Sequence, residues 1–200
     1  NTRGRNINCW KPVWPALTEA VPALRDVPLS LWERALNDVR LTEVRTEADE
    51  LTYCLHILLR FRMEKELFSG ALPAEKAKDR WNELTREYLG FVPSDDAHGI
   101  LQDLHWSSVF FGYFPTYLLG SLYDGMFLEA LTRDLGSADA LLSEGRIKEI
   151  TAWLKENIHK NGSLENPKEI LARVCGKPLS AGPLLGYFTE KYARLYGFEA

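Results

Sequence analysis

Thr46-Glu-Ala-Asp49-Glu-Leu51-Thr-Tyr53-Cys-Leu-His56-Ile-Leu-Leu-Arg60-Phe-Arg-Met-Glu64-Lys-Glu-Leu-Phe68, closed by Ser69-Gly70, is the stretch on which the fold turns. It reads as one long helix. Thr46 and Asp49 stand at capping-box spacing, with Asp in place of the usual Glu or Gln, and Gly70 supplies the stop. Leu51, Cys54, Leu55, Ile57, Leu58, Leu59 and Phe61 cover most of its circumference, and a helix apolar nearly all round is a buried one. Yet Asp49, Tyr53, His56, Arg60 and Glu64 recur three or four residues apart and line up as one narrow polar stripe. On a buried helix such a stripe must face water in a cleft, a ligand or a partner's polar groups, because unpaired buried charge is costly. Arg60 presents a planar fork that suits a carboxylate. The competing reading is an internal network, in which Asp49 caps its own helix and Arg60 pairs with Glu64. His56 taken alone is more often a satisfied core histidine than a reacting one.

Outward from this segment the pattern stays helical. Residues 1–27 are rich in Pro, Trp and Arg and read as irregular, with a short helix near Leu17–Leu24. Pro28 to Val39 follows as a helix capped by Ser30, with Leu31, Trp32, Ala35, Leu36 and Val39 on one face. Pro73 to Leu89 is an amphipathic helix with Ala77, Trp81, Leu84 and Tyr88 inward, stopped by Gly90. Pro115 or Thr116 begins another that runs to about Leu135. Short helices are expected near 137–143, 145–159, 167–174 and 179–195, with Thr151, Ala152, Leu154 and Ile158 giving the second of these its apolar face. Composition agrees: Leu occurs 31 times against 15 for Val and Ile together, which favours helix over strand.

The 200 residues suit one domain or a large part of one, and a 46% hydrophobic, 26% charged chain is globular rather than disordered or fibrous. A net charge of -4 lacks the basic footprint of a nucleic-acid or membrane-surface binder. No apolar run is long enough for a transmembrane helix. Cys9, Cys54 and Cys175 are odd in number and widely spaced, which suits a reducing compartment better than a disulfide framework. No H-E-x-x-H, P-loop, G-x-G-x-x-G or G-x-S-x-G occurs, and the four histidines form no close pair on a helical turn.

Residues 90–117 interrupt the helices. The run Gly99-Ile-Leu-Gln102-Asp103-Leu-His105-Trp106-Ser-Ser-Val109-Phe-Phe-Gly112-Tyr113-Phe114-Pro-Thr-Tyr117-Leu-Leu-Gly120 gathers an imidazole, two phenols and an indole, with a short helical stretch near Gly99–Leu104. Tyr hydroxyls and a His ring are donors that can be aimed at developing negative charge, and Gly112 permits close backbone approach. His105, Tyr113 and Tyr117 are therefore candidate site residues, whereas Phe110, Phe111 and Phe114 read as gap-filling aromatics.

These residues carry a resemblance. His105-Trp106-Ser107 followed by Phe111-Gly112-Tyr113-Phe114-Pro115-Thr116-Tyr117 and Gly120 resembles the signature of the thermostable carboxypeptidase (carboxypeptidase Taq) family of zinc metallopeptidases. Gly99-x-Leu101-Gln102-Asp103, Arg45-x-Glu47-Ala48-Asp49-Glu50-x-Thr52-Tyr53, and His56-Ile57-x-x-Arg60-Phe61-x-x-Glu64 fit as well. So do Trp153 to His159 and Lys191-Tyr192, so the likeness covers essentially the whole chain. The resemblance implies an all-α, saddle-shaped, mostly helical fold of a cytoplasmic homodimer that removes C-terminal residues from peptides with broad specificity. It implies zinc, or another divalent metal, bound by two His and a Glu of an H-E-x-x-H helix and a later H-E-S/G-Q motif. Both precede the region seen here, so residues 1–200 are expected to be the C-terminal part of a single catalytic domain, with no metal ligand and no activity alone. The general base for the metal-bound water would lie in that earlier part.

By the same resemblance, Arg60 would hold the carboxylate of the peptide C-terminus, with His56 and Tyr53 beside it, and His105, Tyr117 and more weakly Tyr113 would donate to the tetrahedral oxyanion or position the peptide. The family usually has Gly where Val109 stands. A β-branched residue resists positive φ, so the loop is expected to take another shape there, or substrate access to be narrower. Asn6 to Cys9 also depart from the family's Arg/Ser-rich pattern. The alternative reading is a non-catalytic peptide-binding or dimerisation module derived from this family.

Overall fold

Leu-rich amphipathic segments punctuated by Gly and Pro leave the chain little choice but helix. In the computed structural model, which describes residues 4–199, every regular element among the described residues is an α-helix or a single 3-10 turn. The described residues group into two compact units, residues 4–37 with 121–199, and Asp38–Gly120.

The first unit begins with α1 (Ile7–Trp10), α2 (Trp14–Ala20) and α3 (Leu29–Leu36). Trp32 gathers Trp10 and Trp14 around it, with ring centroids at 5.3 and 5.5 Å. Asn37, buried, donates from Nδ2 to the carbonyls of Arg5 and Glu33 and ties the start of the chain to α3. This helix is shorter than its periodicity suggests. Pro28 rather than Ser30 is the N-cap, without a side-chain cap bond, and Val39 lies beyond the end. Leu31 is exposed.

The core of this unit is built by α6 (Pro115–Leu135), α7 (Ala138–Ser143), α8 (Ile147–Asn157), α9 (Pro167–Cys175) and α10 (Gly182–Tyr196). The first six residues of α6 belong to the second unit. Met126, Ala130, Leu131, Leu141, Leu142, Ile150, Trp153, Leu171 and Val174 form the cluster. The inner face of α8 is thus Ile150, Trp153 and Leu154. Thr151 and Ala152, expected inside, face solvent, because at about 100° per residue they fall on the side of the helix away from Ile150 and Trp153. The start of α9 is locally encoded: Asn166 accepts from the Lys168 and Glu169 amides, Glu169 reaches back to the Asn166 amide, and Pro167 occupies the first turn. A cavity of about 720 Å³ opens in this unit, its charged lining mixed in sign.

The second unit is led by α4 (Tyr53–Phe68) and α5 (Ala77–Leu89). Leu59, Met63, Trp81 and Leu84 form its core. Arg80 grips Glu66 across the two helices with Nε and Nη2 at 2.7 and 3.0 Å. Gly90, at φ 81, terminates α5 in the left-handed conformation that a residue with a side chain resists. The decisive helix starts at Tyr53, not Thr46. Asp49 does not cap from within a helix: its carboxylate accepts from the Leu51 and Thr52 amides, the Thr52 hydroxyl and the Arg40 amide. Those bonds fix a bend between the 3-10 turn Arg45–Glu47 and α4. Leu58 and Phe61 of α4 are exposed, so the helix is buried on a broad face rather than all round.

Candidate functional site

Along α4 the residues His56, Arg60 and Glu64 fall one above another at four-residue steps, and all three are buried. Opposite them the chain from Gly90 to Phe114 runs without a helix, Gly99–Leu104 included, where only turns form. This segment delivers a carboxylate, Asp103, to the stripe. Its Oδ2 accepts from Arg60 Nε at 2.6 Å and lies 2.5 Å from Arg60 Nη2, while its Oδ1 accepts from Arg45 Nε and Nη2 at 3.0 and 2.7 Å. Two guanidinium groups therefore share one carboxylate. Aromatic faces sheathe both: Arg60 lies 4.9 Å from the Trp81 ring centroid and 5.3 Å from that of Phe114, and Arg45 lies 5.2 Å from Tyr117. Gln102 sets the geometry, accepting from the Arg45 amide at 2.7 Å and donating to the carbonyls of Glu43, His98 and Gly99.

The charges shift as this packing requires. Burial pulls the Arg60 guanidinium down to about 10, against the opposing pull of Asp103, so it stays cationic at neutral pH. Burial would raise the Asp103 carboxyl, but the two arginines outweigh it and hold the group below its ordinary value. His56 is driven down to about 4, first by burial and then by the positive charges of Arg60 and Arg45. It is neutral above mildly acidic pH, and its Nε2 is buried with no hydrogen-bond partner.

Arg60 is thus placed differently from the sequence-based expectation. Its side chain is 0% exposed, its charge is taken by Asp103, and its Nη1 donates to the His56 carbonyl at 2.8 Å. It orients Asp103 instead of presenting a free fork to a ligand, and His56 is sealed in beside it. Tyr53 is half-buried and accepts from Arg45 Nη1 at 3.2 Å. The partner of Arg60 is 43 residues distant, which no periodicity could reveal. Arg45, Gln102 and Asp103 were visible only as parts of motifs, not as a cluster.

The loop residues do come together. His105 Nε2 lies 3.0 Å from the Tyr117 hydroxyl, and its Nδ1, buried and without a hydrogen bond, stands 3.9 Å from Asp103 Oδ1. The imidazole packs on Phe114, centroids 4.3 Å apart, and Tyr113 and Tyr117 meet edge to face at 5.4 Å. Burial, then Tyr113, raises the Tyr117 phenol above its ordinary value, keeping it a protonated donor. Of the three phenylalanines read as filler, only Phe114 is buried. Phe110 and Phe111 are 59% and 43% exposed, because the loop turns them outward.

That turn is made at Val109, whose φ is 63°. Val109 is β-branched. It takes the left-handed conformation a glycine would take, with strain.

Among the described residues, no group of three or more His, Cys, Asp and Glu side chains is arranged to hold a metal ion, and none of their helices is long and apolar enough to cross a membrane.

The chain matches the family described as carboxypeptidase Taq (M32) metallopeptidase over residues 1–192. It is 40% identical over 197 residues to Carboxypeptidase 1 of Bacillus subtilis and likewise 40% identical to Thermostable carboxypeptidase 1 of Thermus thermophilus. Each match covers 98% of this chain and 39% of the relative. Among solved structures, the M32 carboxypeptidase of Deinococcus radiodurans superposes with a TM-score of 0.93 at 33% identity, over 98% of this chain and 40% of that one. The Pyrococcus furiosus carboxypeptidase gives 0.92 at 34% identity, over 96% and 39%. The chain therefore spans about two-fifths of the length of these relatives.

Proposed function

Because the chain belongs to the carboxypeptidase Taq (M32) metallopeptidase family, we propose that it forms one wall of the active site of an enzyme that removes C-terminal residues from peptides with broad specificity. Zinc, or another divalent metal, supplies the Lewis acid in such an enzyme, and its ligands belong to the part of the family fold that this chain does not span. The enzyme is read as a cytoplasmic homodimer on the family likeness alone.

One observation carries the reading: the 3.0 Å pairing of His105 with the Tyr117 hydroxyl, above a carboxylate fixed by two arginines. In this arrangement the protonated phenol donates toward the oxygen on which negative charge develops, and His105 holds its hydroxyl in place. Tyr113, 46% exposed and edge-on to Tyr117, positions the peptide. Asp103, gripped by Arg45 and Arg60, backs the imidazole, and Tyr53 steadies Arg45. Such preorganised donors act because they need no rearrangement as charge appears. The non-catalytic module is disfavoured, since identity of 34–40% extends over 96–98% of the chain.

The test is to read the gene upstream of Asn1 and assay the encoded protein, metal-loaded, on a peptide with a free C-terminus and on its amidated form. The account expects H-E-x-x-H and H-E-S/G-Q upstream, stepwise shortening of the free peptide, and little action on the amide. A metal-loaded protein that shortens neither would refute the proposal.

A further inference from the structure

Glu64 has no part in the proposed chemistry, yet it is buried at the end of the polar stripe. A carboxylate taken out of water needs partners. Its Oε1 accepts two hydrogen bonds, from the Trp106 indole Nε1 at 2.9 Å and from the Gly112 backbone amide at 3.0 Å. Its Oε2 is buried with no hydrogen bond. Both donors belong to the aromatic loop, and each adjoins a residue of the proposed site: Trp106 follows His105, and Gly112 precedes Tyr113. Between them the chain passes through Val109 at φ 63°. The His105 carbonyl meanwhile accepts from the Ser108 and Phe110 amides at 3.2 and 2.8 Å, which closes the turn. Trp106 is further braced edge to face against Trp81 and Phe114, with both centroid distances at 6.0 Å.

From this geometry we propose that Glu64 is a positioning residue for the peptidase reaction: one carboxylate oxygen, carried on the rigid helix α4, pins both sides of the strained turn and so fixes the separation of His105 and Tyr113. A strained loop that is half exposed needs such a fixed point, since strain persists only where the surroundings over-determine it. The requirement is for an acceptor oxygen at that place, not for a negative charge. Gln, whose amide oxygen can accept both bonds, should therefore serve, and Ala should not.

The inference rests on the proposed role of the loop, and the test separates the two. In the intact metal-loaded enzyme, E64Q, E64A, W106F and H105A are compared by kcat and KM on a free-carboxylate peptide, with hydrogen exchange followed across residues 105–113. Displacing reacting groups by about 1 Å costs up to about 100-fold. E64A is expected to lose about 10- to 100-fold in kcat with little change in KM. Amide protection should fall at Gly112 and Tyr113 while the core helices keep theirs. E64Q is expected to stay within about 3-fold of the parent, because it restores the bonds. If E64A does not fold, W106F decides, since it removes one donor but keeps a ring: a loss near 10-fold with faster loop exchange supports the clamp, and parental behaviour overturns it. Equal losses in E64Q and E64A overturn it too, as does unchanged loop protection in E64A. If H105A is also fully active, the role assigned to the loop fails along with the clamp; if H105A is inactive while E64A is normal, only the clamp fails.

Discussion

Asp103 is the residue on which the buried charge balance depends, and replacing it with Ala is the sharpest perturbation the site offers. The change orphans two cations at once. Arg60 is 0% exposed and keeps only its bond to the His56 carbonyl, and Arg45, 9% exposed at its side chain, keeps only the Tyr53 hydroxyl among its side-chain bonds. Removing one partner of a buried pair typically costs about 3–5 kcal/mol, because the charge left behind has lost both water and counter-ion. In a chain of this size that corresponds to a fall in Tm on the order of 10 °C. D103N, which keeps an acceptor oxygen without the charge, is expected to fall between the parent and D103A. Removing Arg45 as well should recover part of the D103A loss, since one of the two orphaned charges is then gone. Urea unfolding followed by far-UV circular dichroism measures all three. A D103A protein within about 1 kcal/mol of the parent would show that the Arg45–Asp103–Arg60 cluster does not hold the site together.

Three further outcomes are expected. A Cβ on Gly125 of α6 would sit 2.8 Å from the Leu184 backbone nitrogen and 2.9 Å from its Cα, so G125A must push α10 away and should cost about 1–3 kcal/mol in chemical denaturation. His56 titrates at about 4 when folded against an ordinary 6.5, so its contribution is intact above pH 6.5 and is lost as pH falls toward 4, by on the order of 3 kcal/mol. The lowered Asp103 adds a loss of the same sign at lower pH. H56F, scanned by unfolding from pH 7 to 4, should flatten the upper part of that slope, and an unchanged slope would count against a neutral buried His56. Val109 at φ 63° is relieved in V109G. Relief of about 1–2 kcal/mol, set against the roughly 0.5–1 kcal/mol that glycine costs in chain entropy, leaves a net gain below about 1.5 kcal/mol, and a lower Tm would refute the strain.

The helices were legible where the chain carries its own punctuation. Pro115 starts α6, Gly90 ends α5, and Asn166-Pro167-Lys168-Glu169 spells a capped start, so these boundaries fell where local chemistry put them. The start of α4 is hidden for the opposite reason. Asp49 has the right spacing to cap from Thr46, but its carboxylate finds better partners in the Arg40 and Thr52 amides, a competition that sequence spacing does not display. The site followed the same division. His105 lies in the loop and Tyr117 12 residues on in the first turn of α6, and the density of donors there marks both as candidates. Arg60 could not be placed, because an arginine on a polar stripe looks the same whether it awaits a ligand or is already spent on a carboxylate 43 residues on. Val109 is the third case: nothing in the sequence around a β-branched residue shows that it will sit at φ 63°.

The central claim is that the His105–Tyr117 pair faces the reacting carbonyl. It is tested most directly by kcat/KM of Tyr117→Phe in the intact metal-loaded enzyme on a free-carboxylate peptide. Loss of one oxyanion donor predicts a fall of about 100- to 1,000-fold, with Tm unchanged. Activity within about 3-fold of the parent would contradict the account.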